Sequence, residues 1–135
     1  MNTLSPTGHV EVESPEPFVP TMERLVAAIH QAGLQIFARI DHAAAARESG
    51  LQMPPTTVLV YGHAKGGTPI MLAAPNAALD LPLRVLVREG PEGHVFVSIK
   101  PIASMLRALD VSVELIDRLQ PSQLLIINAV KSRSP

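Results

Sequence analysis

Apolar and polar residues along this chain repeat with two periods, and the switches between them mark out its elements. His9-Val10-Glu11-Val12-Glu13 alternates and reads as a short edge strand, closed by Pro15, Pro17 and Pro20, each of which removes a ladder donor. From Thr21 the spacing becomes helical. Met22, Leu25, Val26 and Ile29 share one face, Thr21 is placed as the N-cap and Gly33 as the stop. Leu34 to Ile40 mostly alternates and predicts a strand. Asp41 then caps an Ala-rich helix running through Ser49 and ended by Gly50. After Pro54-Pro55, Thr56 to Tyr61 is apolar enough on both faces to lie inside a sheet.

His63 to Thr68 reads as a loop leading into a short helix, Pro69 to Ala74, with Pro69 at its first position. Pro75 to Leu81 is irregular. Leu83 to Arg88 and His94 to Ile99 are two strands joined by Glu89-Gly90-Pro91-Glu92-Gly93, a hairpin pattern that excludes an all-parallel sheet. Ile102, Met105, Leu106 and Leu109 fall on one helical face, and Val113, Ile116 and Leu119 on another. Pro121 is expected to open a separate last segment containing Leu124-Leu125-Ile126-Ile127, with Pro at the first turn favouring helix. No internal repeat is visible. The order is β-α-β-α-β-α-β-β-α(α): one α/β (α+β) domain over residues 9–131, with a mixed or largely antiparallel sheet and helices mainly on one face. Residues 1–8 are expected to be a flexible tail and residues 132–135 a second one.

Composition narrows the function. The chain has 135 residues, 47% of them apolar and 17% charged, which suits one packed domain rather than a disordered chain. A formal charge of −1 and aromatics at only 3% argue against nucleic acid and anionic membrane as partners. No apolar run approaches the length of a membrane span. Cysteine is absent, which removes disulfides, thiol catalysis and thiolate metal sites together. Met1 to Val10 has neither the basic start nor the apolar stretch of a signal peptide, so a cytoplasmic location is expected.

Three blocks carry a family resemblance: Phe37-Ala38-Arg39-Ile40-Asp41-His42-Ala43-Ala44-Ala45-Ala46, Gly62-His63-Ala64-Lys65-Gly66-Gly67-Thr68-Pro69-Ile70-Met71, and Asp80-Leu81-Pro82-Leu83-Arg84-Val85-Leu86-Val87. In this order and spacing the chain resembles domain-of-unknown-function family 302 of bacteria and archaea, over roughly Val10 to Val130. The resemblance implies a small α/β homodimer with no settled activity. It also implies Asn or another small polar residue where His63 stands here.

Several residues carry candidate chemistry. Asp41-His42, at a strand-to-helix junction, pairs an acid with an imidazole and suits proton transfer; the simpler reading makes Asp41 a helix cap. Lys65, Gly66, Gly67 and Thr68 are candidates for an anion-binding loop, with helix amides and one charge aimed at a phosphate, sulfate or carboxylate. The loop is not a Walker motif, because Thr68 rather than Lys follows Gly67, and a tight turn using the glycines competes with the anion reading. His42 and His63 both follow strands and are candidates to converge on a metal with Asp41 or Asp80. With no His-x-x-x-His spacing in the chain, however, no metal and no cofactor are expected. Arg39 and Arg84 qualify as anion ligands only if they face a cleft. Met53 and Met71 read as core filler. The apolar run Leu124 to Val130 exceeds what one face of a terminal helix needs, and this predicts a homodimer.

The favoured reading is a non-catalytic, homodimeric binding or regulatory module for a small anionic ligand or a protein partner. The alternatives are a small enzyme using Asp41 and His42 with Lys65, and a metal-binding protein using His42 and His63. Clustering of Asp41, His42, Lys65 and Asp80 about one pocket favours catalysis; dispersal favours the binding module.

Overall fold

The computed structural model describes residues 3–4 and 8–131. Six strands are present among them: β1 (Thr3–Leu4), β2 (Val10–Ser14), β3 (Gln35–Asp41), β4 (Thr56–Gly62), β5 (Leu83–Glu89) and β6 (Val95–Ile99). They form one sheet in the order β1-β2-β6-β5-β4-β3, and every neighbouring pair is antiparallel. The helices are α1 (Phe18–Gln31), α2 (His42–Glu48), α3 (Ala64–Ala73), α4 (Ala103–Ala108) and α5 (Val113–Lys131). From β2 onward the element order is the expected one, and the fold is α+β. Within the stretch expected as an N-terminal tail, Thr3 and Leu4 pair with Glu11 and Val10. The remainder of that tail, Gly8 apart, and the expected tail at 132–135 lie outside the described residues.

Alternation decides the two faces of the sheet. Val12, Leu59, Tyr61, Val85, Val87, Val95 and Val97 are buried against the helical layer, where α1 and α5 pack beside each other and over the strands. Met22, Leu25 and Ile29 of α1 and Ile116, Leu119, Ile126, Ile127 and Val130 of α5 complete that core. Residues between the buried ones point to the opposite face: Glu11, Val58, Val60, Arg84, Leu86, Arg88, Phe96 and Ser98, in the register Val58↔Leu86, Val60↔Arg84, Leu86↔Ser98 and Glu11↔Ser98.

Three local expectations change. Helix α1 begins at Phe18, before Thr21. Thr21 is buried inside it, its hydroxyl donating to the Pro17 carbonyl at 2.8 Å and lying 2.6 Å from Ser14 Oγ; Pro20 is tolerated because first-turn amides need no helical acceptor. Helix α3 begins at Ala64, so the supposed loop is its first turn. Helix α5 runs unbroken through Pro121. Ile116, Leu119, Gln123, Ile126, Ile127 and Val130 are buried and form one continuous stripe across the proline, and packing of that stripe outweighs the missing hydrogen bond. The surplus read in Leu124 to Val130 is thereby absorbed: Ile126, Ile127 and Val130 belong to the domain's own core, and Leu124 is the large exposed residue of the run.

One long-range tie fixes α5 to the sheet. Tyr61, fully buried on β4, donates its hydroxyl to the Ser122 carbonyl at 2.7 Å. Burial pushes the phenol's ionisation well above its ordinary range by desolvation.

Candidate functional site

Antiparallel pairing of β3 with β4 separates residues that the sequence reading brought together. Asp41 stands opposite Thr57 at one end of the pair, and Gln35 opposite Gly62 at the other. His42 therefore leaves one end of the sheet and His63 the other, about 20 Å apart along seven-residue strands. Lys65, in the first turn of α3, follows His63 at the end of the sheet opposite to Asp41 and His42. No group of three His, Asp or Glu side chains able to hold a metal occurs among the described residues.

Both strand-to-helix junctions are instead caps. Asp41 Oδ1 accepts the Ala44 amide at 2.9 Å at the start of α2. His63 Nδ1 accepts the Lys65 amide at 3.0 Å at the start of α3. His63 thus does the work of the small polar residue expected at its position. The Gly66 and Gly67 amides both donate to the His63 carbonyl at 3.0 Å, so two donors of the expected anion loop are already used. Neither glycine has a positive φ; the turn reading of these glycines therefore falls as well. Lys65 is exposed, and Gly67 and Thr68 line a small apolar cavity with His63, Phe37 and Met71.

The larger concavity lies on the opposite face of the sheet, with Met105 of α4 and Gln123 of α5 in its lining. It measures about 480 Å³ and spans β2, β5, β6 and the β6–α4 connection. Val58, Leu86 and Met105 give it an apolar wall; Glu11, Asp80, Arg84, Arg88 and Lys100 bring charge. Arg88 Nη2 binds Glu11 Oε1 at 3.0 Å, and the same oxygen accepts the Ser98 hydroxyl at 3.0 Å. Arg88 also lies 4.8 Å above the centre of the Phe96 ring. Glu11 is thereby committed. Asp80, Arg84 and Lys100 remain, with no ion pair to any described residue, so the uncommitted charge of the cavity is net positive by one. Arg84 and Lys100 are neighbours across the hairpin, one step beyond the Val85↔Ile99 pair.

Gln123 holds this corner. Its Oε1 accepts the Ile102 amide at 3.2 Å and its Nε2 donates to the Lys100 carbonyl at 2.9 Å. Sequence reasoning singled out Arg84, conditional on a cleft, and the cleft exists; Arg39 does not line it. Lys100 and Gln123 were missed. Hairpin register alone places Lys100 beside Arg84, whereas nothing local marks Gln123, whose partners stand more than twenty positions away in sequence.

The fold and these landmarks can be set against known proteins. The model of the family described as "Domain of unknown function DUF302" matches residues 10–123. The chain belongs to the DUF302 family. The crystal structure of an uncharacterized conserved DUF302 protein from Bacillus stearothermophilus has the same fold, with a TM-score of 0.76, 15% identity, and 90% of this chain and 94% of that one covered. Three curated proteins also match this DUF302 domain over 99 residues at 36% identity, 73% of this chain: fluoride-specific ion channels FluC 1 of Brucella suis and Brucella abortus and FluC 2 of Brucella melitensis. The match covers only 37–39% of their lengths. No described helix of the present chain is long and apolar enough to cross a membrane.

Proposed function

We propose that this DUF302 chain is a non-catalytic, homodimeric binding module whose ligand is a small organic anion held in the sheet-face cavity. The observation that carries the reading is the pair of uncommitted cations, Arg84 and Lys100, at a concavity whose other wall is Val58, Leu86 and Met105. A carboxylate or phosphate suits the cations; an attached apolar group suits the wall. The dispersal of Asp41, His42, Lys65 and Asp80 supports binding over catalysis. Ala38, Ile40 and Val60, apolar positions on the same face towards β3 and outside the cavity lining, favour a second copy of the chain as the protein partner, and Ile40→Asp should then shift sedimentation equilibrium towards monomer.

The fluoride-channel relatives suggest what such a module serves. The matched part is under two fifths of each, and conduction requires membrane-spanning structure that the described helices do not provide. On this reading the domain reports ligand occupancy to a membrane protein rather than conducting ions itself.

Isothermal titration with hexanoate tests the site. Binding should weaken roughly five- to tenfold in Arg84→Ala and in Lys100→Ala, as expected for loss of a charge-assisted contact, and stay unchanged in Lys65→Ala. Equal affinity in all four proteins refutes the assignment.

A further inference from the structure

We propose that the smaller cavity beside α3 is a second binding site, for a small neutral molecule with an apolar body and one hydrogen-bond acceptor. The cavity measures about 250 Å³, and Phe37, Met71, Leu81 and Leu119 are among its walls. No Lys, Arg, Asp or Glu lines it, so a charged ligand would enter without a partner, at the cost of desolvation. For scale, a buried apolar cavity of about 150 Å³ holds benzene, so this one has room for a substituted ring of roughly ten non-hydrogen atoms.

A methyl group at either lining glycine would meet its neighbours at ordinary contact distance. A Cβ at Gly67 would stand 3.8 Å from Met71 Cε and 4.0 Å from Leu81 Cδ1, and one at Gly62 3.5 Å from Pro82 Cβ. Neither residue has the positive φ that calls for glycine. In a helix, glycine at position 67 costs about 1 kcal/mol relative to alanine. A larger side chain at position 67 would have to compete with a ligand for space beside Met71 and Leu81.

The cavity's polar feature is set by the helix cap. His63 Nδ1 accepts the Lys65 amide, which places the ring proton of neutral His63 on Nε2. That N–H has no partner among the described residues, and His63 lines the cavity. His63 and Thr68, both exposed, are therefore the polar side chains that line the otherwise apolar cavity, and each can donate one hydrogen bond at its mouth. This chemistry differs from that of the sheet-face site, so either site can fail without the other.

Acetophenone and ethylbenzene, alike in shape and different in the carbonyl oxygen, are the probes. Titrations of the full chain followed by methyl NMR should give saturable shifts at Met71, Leu81 and Leu119, with acetophenone bound roughly fivefold tighter, about the worth of one neutral hydrogen bond. His63→Asp keeps a capping oxygen and loses the donor, so the preference should fall to about one. Gly67→Val should abolish both shifts, and Gly67→Ala, which favours the helix, should weaken both if the valine variant does not fold. Absence of shifts in the native chain, a preference that survives His63→Asp, or undiminished binding in the folded Gly67 variants overturns the site.

Discussion

Replacing Gln123 by Met keeps the length of the side chain and removes both ends of a clip. The amide of Ile102 and the carbonyl of Lys100 lose their partners at 3.2 and 2.9 Å. Gln123 is buried to 7% exposure, so water does not readily replace its Oε1 at Ile102. The Lys100 carbonyl, nearer the surface, can be solvated. Stranding one buried amide costs about 1–3 kcal/mol and losing the second bond about 1 more, for a total of roughly 2–4 kcal/mol, offset in part by the apolar gain of Met. Urea unfolding should show a lower midpoint at unchanged slope. Hexanoate affinity should fall as well, although no charge has been removed, because the clip positions Lys100 beside Arg84. A loss below about 0.5 kcal/mol, within the range of an ordinary surface change, refutes the clip, and full stability loss with native hexanoate affinity refutes its link to the site.

Other substitutions test the remaining framework. Tyr61→Phe should cost about 0.5–1.5 kcal/mol through the lost bond to Ser122. Because folding raises the ionisation of Tyr61, its share of stability is complete below the unfolded phenol's ordinary value of about 10 and lost as pH rises above it. As the chain's one tyrosine, it should give no phenolate absorbance near that pH until the protein unfolds. Asp41→Ala should cost about 0.5–2 kcal/mol and Asp41→Asn little; equal, large losses in thermal melts count against the cap. Gly90→Ala places a Cβ 2.9 Å from Phe96 Cε2, so the ring or the backbone must shift; about 1–3 kcal/mol of destabilisation is expected from such overpacking. Ile127→Asp should unfold the chain rather than merely separate subunits, since Ile127 is core.

Element order, the β5–β6 hairpin and the core of α1 were legible because each follows from a local period. What local pattern does not carry is strand direction between distant segments. His42 and His63 each follow a strand, and only the antiparallel pairing of β3 with β4 sends them to opposite ends. Pro121 and the Gly66-Gly67 pair misled for the same reason in reverse. Their intrinsic preferences break helices, yet α5 is held by a stripe packed against the sheet and α3 is capped by His63. Arg84 was visible as a candidate on an exposed position of a strand; its significance depends on Lys100 across the hairpin and on a cavity made by five separate segments.

Chemical-shift mapping with hexanoate addresses the binding site most directly. Saturable shifts at the methyls of Val58, Leu86 and Met105 and at the Arg84 and Lys100 amides, with those of Gly66 and Gly67 still, are the predicted outcome. Shifts confined to Gly66, Gly67 and Thr68, or none on the sheet face at saturating hexanoate, contradict it.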